Sequence, residues 1–204
     1  MPTSASSKGY LVSSIHQGPG DLWIIPGGIA DSAAPQLVLD LPSGTPDATT
    51  YPSAVCLGTT ESGITFTIKE KFNDIAADQF DAPIDTYKEE SSGMLEAELS
   101  QQSVDLLQQA LSTGVYATVA SPGYKQLTFG GVSIVPTICL AAITPKRTGT
   151  NLYIVSILFK AYSKGGLEVL MQRKKKSTHK VQFAGQADIT RTAGRQIGVH
   201  YETI

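Results

Sequence analysis

The longest regular pattern in the chain runs through residues 61–112, where apolar and polar positions alternate over several successive segments. In ITFTIKEKF (64–72), Ile64, Phe66, Ile68 and Phe72 share one side of a two-residue period. Thr65, Thr67, Lys69 and Lys71 share the other. Alternation of this kind predicts a half-buried strand. NDIAADQF (73–80) follows, then PIDTYKEES (83–91) after a turn at Asp81-Ala82-Pro83. GMLEAELS (93–100) returns with Leu95, Ala97 and Leu99 on one side and Met94, Glu96 and Glu98 on the other. The four segments predict a meander of antiparallel strands, two long amphipathic hairpins. Ser100 suits a helix N-cap, and QSVDLLQQALSTG (102–114) aligns Val104, Leu107 and Leu111 on one helical face, with Gly114 as the stop. That helix is short and narrowly apolar, so it must cover one end of a sheet.

The flanking regions repeat the strand signal. GYLVSSIHQGPGDLWIIPGG (9–28) reads as two short strands around Gly18-Pro19-Gly20, with Trp23, Ile24 and Ile25 anchoring the second. KQLTFGGVSIV (125–135) turns at Gly130-Gly131. TICLAAIT (137–144) and NLYIVSILFKAYS (151–163) are the most apolar runs and flank a loop at 145–151. LYIVSILF (152–159) lacks alternation, which predicts a central strand buried on both faces. Residues 164–183 give two more strands joined by a basic loop. The expected fold is mostly β, a β-sandwich with one flanking α-helix, in a single domain over 1–204.

Three segments stand apart as arms. Residues 1–9 are small and polar, a flexible N-terminal arm. Residues 29–53 carry Pro35, Pro42, Pro46 and Pro52 and one apolar patch, Leu37, Val38, Leu39 and Leu41. A loop of this length in a compact domain is uncommon. It reads as an extended arm lying on a neighbouring subunit, with a surface insertion as the other reading. Residues 186–204 read as an edge strand and a C-terminal arm.

Composition removes several classes of function. A chain of 204 residues with net charge −2 has no global field for nucleic acid or an anionic membrane. Its charged fraction of 17% is below the usual level of about a quarter. No apolar run approaches the roughly 18 residues needed to span a bilayer, and the N-terminus has no signal-peptide segment. Cys56 and Cys139 read as buried thiols in a reducing compartment, with a disulfide as the alternative. His16, His179 and His200 have no Cys, Asp or Glu at metal-ligand spacing. No nucleophile, phosphate-cradle or metal motif occurs, so no catalytic, cofactor or metal residue is assigned and the chain reads as a non-enzyme. Asp74, Asp78, Asp81 and Asp85 would form a carboxylate cluster only on a helix, and Pro83 argues for strands.

Two charged features carry more. Thr65, Thr67, Lys69, Lys71, Asp85, Glu96 and Glu98 define a polar, acid-biased side of the hairpins. The bland reading is a solvated sheet face. The sharper one is the lumen of an assembled ring or tube, where negative bias keeps phosphates from sticking. The other feature is Arg173-Lys174-Lys175-Lys176 with His179 and Lys180. It reads as a solvated hairpin loop, or else as a contact to an acidic neighbour; it has no interleaved aromatics for nucleic acid.

Five stretches together carry a family likeness: HQGPGDLWI (16–24), LGTTESGITFTI (57–68), DIAADQFDAPID (74–85), AELSQQSVDLLQQAL (97–111) and FAGQADITRTAGRQIG (183–198). With them the chain resembles the tail tube, or major tail, proteins of long-tailed bacteriophages. The resemblance implies hexameric rings that stack into a tube, with the long hairpins closing an inner β-barrel. It implies a structural virion protein, built in the host cytoplasm, that conducts DNA during ejection without binding it specifically. Its partners would be its own copies and other tail proteins: tape measure, terminator, and baseplate or tip. No membrane or cofactor is implied. A tail terminator, a head–tail adaptor or a secretion-system tube protein would share these traits. A β-sandwich binding module would need an exposed aromatic platform, to which the single Trp23 gives little support.

Overall fold

A computed structural model describes residues 20–32, 34–75, 84–100, 115–120, 123–130, 136–145, 152–170 and 178–203, together with Asp105, Gln108 and Leu111. The strands, in chain order, are β1 (Asp21–Ile25), β2 (Leu39–Asp40), β3 (Thr45–Pro46), β4 (Val55–Ile75), β5 (Asp85–Leu99) and β6 (Val115–Val119). They continue as β7 (Tyr124–Thr128), β8 (Ile138–Pro145), β9 (Tyr153–Leu170), β10 (Thr178–Gly185) and β11 (Gly198–Glu202). The chain is thus mostly β. One seven-stranded sheet has the order β10-β5-β4-β1-β8-β9-β11, and β10 also pairs with β9. Two small ribbons, β2-β3 and β6-β7, complete the described pairing.

The extra β10–β9 pairing is possible because β9 is 18 residues long. Its first half, from Tyr153 to Ala161, pairs with β8, and over Ile154 to Leu158 it also takes β11 on its other edge. Its second half takes β10 from Ala161 onward. The pairings β10-β5-β4-β1-β8-β9-β10 therefore return to their start. The described strands form one large antiparallel sheet, and its side chains divide between two cores, an inner and an outer one.

Period-2 alternation then sorts the side chains into two cores. Leu22, Ile24, Leu57, Leu95, Ala97, Leu99, Leu140, Ala142, Leu158, Ala161, Val181 and Phe183 form the inner cluster. Every strand of the circuit contributes to it. The intervening residues of β8 and β9, among them Ala141, Ile143, Val155, Ile157 and Phe159, form the outer cluster with Ile29 and Leu37. This is why 152–159 shows no alternation: β9 is apolar towards both cores. Gly93 leaves room for the inner cluster to be capped. A Cβ there would lie 3.0 Å from Ile197 Cγ2 and from Leu158 Cδ2.

Several expectations need amendment. The predicted meander of four strands is one hairpin, β4 and β5, with Asp81, Ala82 and Pro83 outside the described residues. Of NDIAADQF, Asn73, Asp74 and Ile75 continue β4, and 76–80 lie outside the described residues. Of the predicted helix, Asp105, Gln108 and Leu111 have helical backbone, and the rest lies outside the described residues. No helix flanking the sheet is seen among the described elements. The arm at 29–53 is laid against its own body. Leu37 is 4% exposed in the outer cluster, and its N–H donates to Tyr201 Oη at 2.9 Å. Tyr153 Oη donates to the Leu41 carbonyl at 3.0 Å. Leu39 is half-buried, while Val38 and Leu41 remain exposed. The arm at 1–9, the basic run 173–176, Asp78 and His16 lie outside the described residues. Cys56 and Cys139 are free thiols, and burial pushes Cys139 up to about 12.

The C-terminal segment is also bound to the body. Arg191 is buried, its guanidinium 3.6 Å above the Phe159 ring. Its Nε donates to Asp188 at 3.2 Å, and its Nη2 donates to the Ile29 carbonyl. The Thr190 hydroxyl, donating at 2.7 Å, and Arg191 hold the Asp188 carboxyl below its ordinary range.

A pair of substitutions separates body from ribbon. Leu99 is 3% exposed and Ile68 is 63% exposed, although both lie on apolar sides of the hairpin. Leu99→Asp buries a charge without a partner and should abolish the cooperative thermal transition. Ile68→Asp should leave the midpoint within about 2 °C, as for an ordinary surface change. Thermal melts followed by circular dichroism check both, and an unfolded Ile68→Asp chain would show that the ribbon packs on the body.

Candidate assembly surface on the long ribbon

The ribbon begins at an irregularity in β4. β1 pairs with β4 only as far as Thr59, opposite Asp21. The β4–β5 register then shifts between Thr60 and Ile64. Gly63, with φ +90°, lies in this bulge, a backbone conformation that side-chain-bearing residues rarely adopt. Past the bulge, β4 runs on to Ile75 with β5 as its partner. At about 3.4 Å per residue the 21 residues of β4 span about 70 Å. Only the proximal part lies on the body.

The apolar side of the ribbon shows where the body ends. Ile64 and Phe66 pack against the inner cluster. Two residues further along the same side, Ile68 is 63% exposed, and Phe72 is 55% exposed. Both were expected to face the core. Alternation fixes which side a residue shares, but the body does not extend beneath these two. Ile84 is exposed as well, and so are Ile75 and Tyr87, which the register places on the opposite side with Asp85 and Asn73. An isolated two-stranded ribbon is marginal in water, and this one carries uncovered apolar surface.

The polar side gathers the sequence-predicted residues. Thr65 pairs with Glu96, Thr67 with Met94, Lys69 with Ser92, and Lys71 with Glu90. Asp85 is opposite Ile75 at the far end. Glu98 continues the β5 row towards the body. Thr65, Thr67, Lys69, Lys71, Asp85, Glu96 and Glu98 thus lie along one side of one ribbon. A second shift, between Lys71 and Phe72, gives β5 an extra residue. Lys71 reaches Glu89 at 2.5 Å there, while Lys88 reaches Glu70 at 2.5 Å on the apolar side. Both pairs are solvent-exposed, so each stabilises by about 0–1 kcal/mol.

Strand β10 adds residues that the sequence reading missed. Lys180 pairs with Glu98 and Gln182 with Glu96. The Gln182 amide donates to Glu96, and Thr178 Oγ1 donates to Glu98 at 2.6 Å. Ser62 Oγ donates to the other Glu98 oxygen at 3.2 Å. Ser62, Thr65, Glu96, Glu98, Lys180 and Gln182 line a shallow cleft of about 370 Å³ at the base of the ribbon. The signal was present in THKVQF, where Thr178, Lys180 and Gln182 alternate with buried His179, Val181 and Phe183. On the apolar side the base is tied to β11. His200 stacks on Phe66 with ring centroids 6.0 Å apart, and its Nδ1 is 2.8 Å from Ser156 Oγ.

This arrangement suits binding by surface and edge. The carboxylates at the base are held by hydrogen bonds, and no group of His, Cys, Asp or Glu among the described residues is arranged to hold a metal ion. No helix among the described residues is long and apolar enough to cross a membrane. No protein-family model matches the chain, and no curated protein matches its sequence.

Hydrogen bonds from Thr178 and Ser62 hold the Glu98 carboxyl below its ordinary value. A depressed carboxylate stabilises the fold above its unfolded pKa, and that contribution is lost as pH falls through the folded value. Thr178→Val should therefore raise the Glu98 midpoint towards the ordinary carboxylate range, with Ser62→Ala acting less strongly. Carboxyl-carbon NMR titration reads it; an unmoved midpoint would remove Thr178 as the cause.

Proposed function

We propose that the protein is a structural subunit of the tail tube of a long-tailed bacteriophage. Copies form hexameric rings, the rings stack, and the polar side of each ribbon lines the channel. The ribbons together form an inner β-barrel. DNA passes during ejection without specific binding, and the other partners are tail proteins. The protein performs no catalysis and uses no cofactor.

One observation carries this reading. A ribbon of two long strands outruns the body, with Ile68 and Phe72 uncovered on one side and a run of Thr, Lys, Asp and Glu on the other. Such a ribbon is stable when its edges and apolar side are covered by further copies, and a closed ring leaves no edge. The residue likeness described above gives the ring its biological setting. The side with Thr65, Thr67, Lys69, Lys71, Asp85, Glu96 and Glu98 is the side turned to the channel, and the exposed Val38 and Leu41 are contacts to a neighbouring copy.

Negative-stain images of the purified protein should show rings or tubes, many copies per particle distinguishing a tube from a terminator or adaptor. A strictly monomeric species at high concentration would count against the reading. Within assembled tails, Glu96→Lys together with Asp85→Lys repeats added lysines around the channel, where phosphates bind them. Tails should still form while infectivity falls by roughly tenfold or more; unchanged infectivity would remove the channel assignment.

A further inference from the structure

We infer that the two free edges of the ribbon recognise each other by charge. Copies add head to tail, with Lys69 on the β4 edge of one copy against Glu90 on the β5 edge of the next. The inference rests on the proposal that the ribbon closes a ring, and it names the contact that gives the ring its direction.

The edges come first. β1 leaves β4 at Thr59, and β10 holds β5 only from Met94 to Leu99. Residues 61–75 of β4 and 85–93 of β5 therefore have one partner strand each among the described residues. Their outward backbone N–H and C=O groups are available for strand addition. A second copy in the same orientation brings its β5 antiparallel to this β4, so the sheet continues without a change of pattern.

Charge then decides which edges meet. On the polar side the β4 edge carries Lys69 and Lys71, and the β5 edge carries Glu89 and Glu90. Lys71 is already held by Glu89 at 2.5 Å. Lys69 and Glu90 are exposed, and among the described residues neither has an ion-pair partner. Pairing β4 with β4 would set lysines against lysines. Pairing β5 with β5 would set carboxylates against carboxylates. Like charges facing across strands destabilise, and opposite charges stabilise. Only the unlike pairing matches Lys69 with Glu90. The two lie directly opposite after a two-residue stagger, an even shift that keeps every side chain on its own face. Without a stagger they are diagonal neighbours, still within reach of long side chains. A head-to-tail contact repeated by rotation closes a ring, whereas like-edge pairing would stop at a dimer.

The test uses the full chain and reads the concentration at which half the protein is assembled, by sedimentation velocity and negative-stain imaging. Lys69→Glu and Glu90→Lys should each raise that concentration about tenfold or more, because every contact in the ring carries the reversed charge. Thermal melts of both variants should match wild type, since the sites are exposed. The double variant should assemble like wild type. An equimolar mixture of the two single variants should also assemble, by alternating copies, and should form closed rings, since like-edge contact would stop at a dimer. Raising the salt concentration should weaken wild-type assembly. Single variants that assemble as wild type does, or a mixture that stays apart, would overturn the charge match and leave the ring reading standing. Wild-type protein that remains monomeric would overturn both.

Discussion

The pairing of β9 with three other strands is the constraint on which the other features depend. A strand of 18 residues gives one edge to β8 and the other to β11 and then β10. The circuit of pairings gives each participating strand two partners where it crosses the body. That satisfies the main-chain polar groups and creates an interior for Phe183, Leu95 and Leu158, each fully buried. It also dictates where edges remain. β4 and β5 are longer than the circuit needs, so their surplus projects as a ribbon.

The base of that ribbon is anchored on both sides. On the polar side Glu98 takes hydrogen bonds from Ser62 and Thr178, which belong to β4 and β10. On the other side Phe66 stacks on His200 of β11. The direction in which the ribbon leaves the body is therefore set by the folded subunit. The outer part has two strands, exposed ion pairs and uncovered apolar groups, and its order depends on what it touches. The packing of the ribbon on the body thus ends along this hairpin at about Ile68. Arg191 does similar work at the opposite end of the chain: by holding Ile29 and Asp188 over Phe159 it keeps the tail and the proline-rich segment on the body.

Strand content and the faces of the ribbon were legible because a two-residue period is a local property. From Ile64 to Lys71 the sequence assigns every side correctly, and the unbroken apolar run in β9 announces burial on both faces. The count of hairpins was not legible, because Ile75 and the residues after it carry turn-like composition while β4 continues through the first of them. The depth of the body was not legible either. Ile68 and Leu99 look alike in sequence, and only the pairing partners of β4 and β5 separate them. Arg191 gave no signal, since its partner at Ile29 is 162 residues away. The segment 29–53 looked like a free arm because its anchors, Tyr153 and Tyr201, belong to strands far along the chain.

The polar side of the ribbon had two readings, a solvated face and a channel lining, and the lysines seemed to blur the second. Their geometry resolves part of that conflict. Lys71 is neutralised by Glu89 in its own strand pair, and Lys88 by Glu70 on the opposite side of the ribbon. In the proposed ring Lys69 is matched by Glu90 of the next copy. The positive charges on the polar side of the outer ribbon are then committed to carboxylates, Lys71 within its own ribbon and Lys69 at the seam. Asp85 and Glu96 remain to set the sign of the open surface. A channel built this way presents phosphates with few free cations, because the lysines that hold the wall together are the ones that would otherwise retain the DNA.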